Sequence, residues 1–138
     1  MRAVLPAVVV LVAALLAGGA PRSAADLPEQ FVAVTPGGAN SVFAPPVVAV
    51  EPGGALTLAS VDVFGHSLVS NEYGPGTQPW CSGFQPGRCP LFWSFQVSLG
   101  GTTPVRGLES LVPGTVYPFY CFEHLGMKGT LVALPSTG

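Results

Sequence analysis

Apolar and polar positions alternate along this chain only in short bursts, and nearly every burst ends at a turn former. Phe31–Val34 alternates weakly and stops at Thr35-Pro36-Gly37-Gly38; Val47–Val50 stops at Glu51-Pro52-Gly53-Gly54. Ala55–Ala59 sets Leu56 and Leu58 between small or polar neighbours, Ser67–Ser70 is a brief run, and Leu91–Leu99 alternates around Phe92, Phe95 and Val97. Val116–Phe122 and Gly129–Leu134 close the series, with Leu108–Val112 as an optional eighth member. Short period-two runs between breakers predict strands. Seven to eight of them predict an all-β fold, an antiparallel β-sandwich. Pro45-Pro46 marks the strand that follows as an edge, because proline has no N–H to donate to a ladder. Residues 71–90, rich in Gly, Pro, Asn and Gln, read as a long loop.

Composition supports this reading and narrows it. The 18 Gly and 15 Pro among 138 residues interrupt the chain too often for long helices. Charged residues are only 9%, against about 25% in an average domain, and hydrophobic residues are 49%. That excludes an intrinsically disordered chain, which needs high charge and few apolar residues. Five Lys and Arg against seven Asp and Glu leave no basic stripe to hold phosphates, so no nucleic-acid partner is expected.

The first 25 residues follow a different pattern. Met1-Arg2 is a minimal basic start, Ala7–Ala17 is an unbroken apolar run, and Ser23-Ala24-Ala25 offers the small residues a signal peptidase reads. Residues 1–25 are therefore expected to be a signal peptide, and residues 26–138 a single exported domain, periplasmic or extracellular. Pro6, Gly18 and Gly19 shorten the apolar run below the roughly 20 residues a membrane span prefers. Uncleaved anchoring is the alternative. After cleavage no membrane span is expected, and the domain is expected to be a monomer.

The chemistry gathers in few places. The chain has two His, His66 and His124; three Cys, Cys81, Cys89 and Cys121; and one Met, Met127, besides the initiator. Cys121-Phe122-Glu123-His124-Leu125-Gly126-Met127 puts a thiolate, an imidazole and a thioether within seven residues. A strand running into Cys121 and a tight loop after it can turn all three onto one centre, with His66 joining from another strand. Two imidazoles, one soft thiolate and a weak thioether form the donor set of a one-electron copper site. No open position for hydrolysis follows from it, so no enzyme activity is expected. Two histidines also cannot build the additional copper site of a multicopper oxidase.

Tyr120-Cys121-Phe122-Glu123-His124-Leu125-Gly126-Met127-Lys128-Gly129-Thr130-Leu131-Val132 resembles the C-terminal signature of the cupredoxins, its C-x2-H-x2-M spacing being most similar to plastocyanin- and amicyanin-like bacterial members. Pro52-Gly53-Gly54-Ala55-Leu56-Thr57 and Asp62-Val63-Phe64-Gly65-His66-Ser67-Leu68 are similar to the family's strand and first-histidine motif, and Pro113–Tyr120 to the turn and strand leading to its cysteine. The resemblance covers roughly residues 31–134. It implies a Greek-key sandwich with one type 1 copper ion at one end, ligands His66, Cys121, His124 and Met127, and electron transfer with an unidentified redox partner protein. Copper capture or delivery without a redox partner is the other reading. Ser60, Ser67 and Leu125 stand where the family often has Asn, Asn and Pro.

The remaining candidates are structural or peripheral. Cys81 and Cys89, in an exported chain, are expected to form a disulfide, with a zinc site shared with Cys121 as the competing possibility. Asp62 is expected to bond a nearby turn, and Glu123 to face solvent. Phe122, Leu125 and Gly126 flank His124, and no charge follows it until Lys128, a candidate docking patch that Trp80, Phe84 and Pro86 of the long loop could widen.

Overall fold

The computed structural model describes residues 28–85 and 87–135. The expected signal peptide lies outside the described residues. Among the described residues nine strands form: β1 Gln30–Val34, β2 Phe43–Ala44, β3 Val47–Val50, β4 Leu56–Ser60, β5 Val69–Ser70, β6 Trp93–Ser94, β7 Thr102–Arg106, β8 Val116–Tyr120 and β9 Lys128–Ala133. Their lateral order is β2-β1-β4-β7-β6-β5-β8-β9-β3. The chain is all-β, and β7 joins two layers: its first half pairs with β4 and its second half with β6. β1 and β3 approach each other at the far side, which gives the sandwich a barrel-like closure. Among the described residues, no helix is long and apolar enough to cross a membrane.

Nine strands replace the expected seven to eight because two short or interrupted segments also pair. Phe43–Ala44 is only two residues long, too short to show a period. Thr102–Arg106 contains Pro104, which normally argues against an interior strand. Here the β6 pairing begins only at Val105, so Pro104 has no ladder bond to lose on that side.

The purely antiparallel expectation also changes, because β1 runs parallel to β4, and β3 parallel to β9. Across Pro45-Pro46 the chain leaves β2 in one layer and starts β3 in the other. β3 sits at the end of the strand order, the edge position that the prolines called for.

Two expected strands change character. Leu108–Val112 is instead a 3-10 turn, Leu108–Ser110, after Gly107 at φ 94°. Leu108 and Leu111 are both buried. A spacing of three brings both inward on such a turn, whereas a strand would put them on opposite faces. Leu91–Leu99 pairs regularly only at Trp93–Ser94. Ser94, rather than Phe95, takes the inward place and accepts the Leu68 N–H through its hydroxyl at 2.9 Å.

The core lies between the layers and includes Val32, Leu58, Leu68, Phe92, Phe119 and Leu131. Tyr117 spans the β8 turn, its hydroxyl oxygen accepting the Val112 N–H at 2.9 Å. In β8 the inward places fall on Tyr117 and Phe119, and Cys121 continues the same alternation into the interior.

Candidate metal centre

Strand periodicity carries the sulfur to the site, and pairing brings the first histidine to it. Cys121 follows the last residue of β8 and is fully buried. Val69 of β5 pairs with Tyr120 of β8, so the turn before β5 runs beside the end of β8. That turn holds His66, whose own backbone exchanges two hydrogen bonds with Val97, at 2.9 and 2.8 Å. The loop after Cys121 is closed by its backbone: Met127 N–H donates to the His124 carbonyl at 2.8 Å, and Cys121 N–H to the Met127 carbonyl at 3.0 Å. The buried Met127 side chain packs in the same core cluster as Cys121.

His66, Cys121 and His124 converge, with their donor atoms all within 4.8 Å of one another. His66 Nδ1 and His124 Nδ1 each lie 3.8 Å from Cys121 Sγ. Donors bonded at about 2.0–2.3 Å to a single first-row ion lie no more than about 4.6 Å apart, so these spacings suit one small ion. The two imidazoles are 4.6 Å apart between centroids and tilted by 32°. Burial separates their roles: His66 is 0% exposed, whereas His124 is partly exposed.

Asp62 sets the orientation of His66. Its Oδ2 lies 3.0 Å from His66 Nε2 and accepts from the Ser41 hydroxyl at 2.5 Å and the Gly38 N–H at 3.0 Å. A ring that donates Nε2–H to this carboxylate leaves the Nδ1 lone pair facing the sulfur, the arrangement that carboxylates impose on metal-binding histidines. The Ser41 hydroxyl, against the opposing effect of burial and with help from His66, Gly38 and Phe64, holds the Asp62 carboxyl far below the usual range. Burial pushes the Cys121 thiol above its ordinary value, while the Ser67 N–H pulls in the other direction.

Sequence reasoning placed Asp62 on a turn, and it does hold one, but its bond to the histidine was missed. An acid four residues before the histidine was the available signal. Glu123 does more than face solvent. Although its residue is exposed, Oε2 accepts the Ser67 hydroxyl at 2.7 Å and lies 3.2 Å from Cys121 Sγ.

Cys81 and Cys89 are disulfide-bonded, with Cα atoms 5.3 Å apart, and Cys121 is the free cysteine. A zinc site sharing all three thiols is thereby excluded. The disulfide loop borders a groove of about 560 Å³ whose walls include Tyr73, Phe84, Trp93, Tyr120 and Phe122. Phe84 lines this groove together with Phe122 and Glu123 and packs edge-on against Trp93; Pro86 lies outside the described residues. Trp80 does not line this groove and packs towards Gly107.

No family model and no curated protein matches the sequence. Solved structures do match the fold. A reduced Cu(I) form of an amicyanin variant aligns with a TM-score of 0.53 at 16% identity, covering 83% of this chain and 91% of that one. Amicyanin from Paracoccus versutus aligns at 0.52 and 15% identity, with the same coverage. A purple cupredoxin from Nitrosopumilus maritimus aligns at 0.51 and 16% identity, covering 76% of this chain and 99% of that one. The fold is a cupredoxin fold. The His66–Cys121–His124 cluster, with Met127 on the same loop, is consistent with a cupredoxin copper site.

Proposed function

We propose that the chain is an exported electron carrier that would hold one type 1 copper ion through His66 Nδ1, Cys121 Sγ and His124 Nδ1, with the Met127 thioether as a further, weaker donor. The observation that carries this reading is the asymmetry of the cluster: two ligands, His66 and Cys121, are sealed in the core, and the third, the His124 imidazole, reaches the surface. When bound, copper supplies one-electron chemistry between Cu(II) and Cu(I). The soft thiolate and two imidazoles suit both oxidation states. Asp62 keeps the His66 ring from turning, and the buried walls around Cys121 and Met127 exclude water. Ligands held this firmly move little when charge changes, which favours fast electron transfer.

The partly exposed His124 edge is the route out. Phe122 and Leu125 beside it are 67% and 68% exposed and, with Gly126, offer a small apolar docking face for a redox protein. The burial of His66, Cys121 and Met127 favours a carrier over copper capture or delivery, because a delivery site must release its ion easily.

Adding Cu(II) to the purified protein should produce an intense thiolate charge-transfer band in the visible spectrum. Cys121→Ser should abolish it, and Met127→Leu should keep it while raising the reduction potential. A folded, colourless Cu(II) complex of the unaltered protein overturns this reading.

A further inference from the structure

Pairing register builds the groove beside the disulfide loop. Val69 of β5 pairs with Trp93 of β6 on one side and with Tyr120 of β8 on the other. Residues opposite one another in a sheet share a face, and the buried Cys121 points inward, so Tyr120, Val69 and Trp93 all point outward. Valine is the short member of this row and makes a floor between two aromatic walls. The Trp93 wall is stiffened by Phe84 at 5.7 Å and Phe95 at 4.6 Å between ring centroids, with the Arg106 guanidinium 5.3 Å over Phe95. Two strand spacings set the walls about 9.5 Å apart. A flat ring standing midway lies about 4.8 Å from each wall, inside the roughly 4.5–7 Å range of favourable aromatic pairs.

Charge sets the rest of the ligand. Among the described residues the groove carries two charged side chains, Arg88 and Glu123. They lie towards opposite ends of β5. Glu123 bonds the Ser67 hydroxyl before the strand, and Pro90, two residues after Arg88, bridges to Tyr73 beyond it. The glutamate is thus already engaged, at 2.7 Å from that hydroxyl, whereas Arg88 is exposed and has no ion-pair partner among the described residues. The cation is the charge left for a ligand.

We propose that this groove is a binding site for a flat aromatic carboxylate, its ring held over Val69 between Trp93 and Tyr120 and its carboxylate paired with Arg88. A guanidinium meets a carboxylate with two parallel N–H bonds, which fixes orientation as well as charge. The side-chain amides of Asn71 and Gln85 on the same walls offer bonds to polar ring substituents. The site excludes His124 and needs no metal ion, so it goes beyond the copper reading and stands or falls separately from it.

The probe is 2-naphthoate, titrated into the full protein with and without copper and read by calorimetry and by tryptophan fluorescence. It should bind saturably, one per chain, in both forms. The uncharged 2-naphthamide should bind about tenfold more weakly. Arg88→Gln should weaken 2-naphthoate about tenfold and leave 2-naphthamide unmoved, which isolates the charge pair. Val69→Phe fills the floor and should abolish binding of both compounds, with the unfolding midpoint as a control; if that variant fails to fold, Phe84→Ala on the exposed wall decides instead and should weaken both. No binding of 2-naphthoate to the unaltered protein overturns the proposal. Equal affinity for the acid and the amide, or an Arg88→Gln protein with the parent affinity, overturns the carboxylate assignment. Binding that survives both Val69→Phe and Phe84→Ala places the ligand elsewhere and overturns the groove.

Discussion

Burying a carboxylate is costly unless donors surround it, and Asp62 is surrounded: the Ser41 hydroxyl, two backbone amides and the His66 ring all face it. That enclosure makes the His66 ring a fixed part rather than a loose one. Asp62→Asn should leave a folded protein whose copper affinity is about 10- to 100-fold weaker, because an amide can offer its NH2 to the ring and no longer dictates the tautomer. Competition against a copper chelator measures this, with the unfolding midpoint as a control for folding; an unchanged affinity would falsify the orienting role. The acid and the histidine sit four residues apart in one turn, within sight of a sequence reading. Ser41 and Gly38, which hold the acid, lie 21 and 24 residues before it, and no local pattern links them to it. The same holds for Ser67 and Glu123, each of which looks unremarkable in its own segment.

At the scale of elements, the turn after β7 shows how an apolar cluster can be misread. Leu108 and Leu111 suggested a strand, but Gly107 adopts a left-handed backbone at φ 94° and starts a 3-10 turn. A Cβ at Gly107 would also run into the Leu91 carbonyl oxygen. Gly107→Ala should therefore destabilise the protein by about 2–3 kcal/mol in urea unfolding. The long loop is an opposite case, since two cysteines in a chain expected to be exported were enough to favour a disulfide over a zinc site. Alkylation of the metal-free, unfolded protein under non-reducing conditions, read by mass spectrometry, should label Cys121 alone; three labels would contradict the Cys81–Cys89 bond. What spacing left open was where the loop goes. It sets Phe84 on a groove whose walls also include Phe122 and Glu123, whereas Trp80 packs near Gly107.

For the whole molecule, the decisive feature is that a buried cluster reaches the surface through the partly exposed His124 imidazole, beside the exposed Phe122 and Leu125. Docking through few charges implies weak, fast association with a small dependence on salt. Leu125→Glu should slow electron self-exchange of the copper-loaded protein and make its rate depend on ionic strength. An unchanged rate and salt dependence would move the electron route away from His124, with Tyr120 as the next to test. The sequence by itself determined the all-β class, the edge at Pro45-Pro46, the choice of His66, Cys121, His124 and Met127 as candidate donors, and the loop that groups three of them. These are local properties: periodicity, turn chemistry and side-chain chemistry act within a few residues. Only the tertiary structure decided that β1 and β3 run parallel to β4 and β9, that Ser41 and Asp62 aim His66, and that Ser67 clasps Glu123 beside the sulfur. Those depend on which layer each strand joins, and chain segments 20 to more than 50 residues apart meet only after that choice, because burial of the shared core, rather than any local preference, sets it.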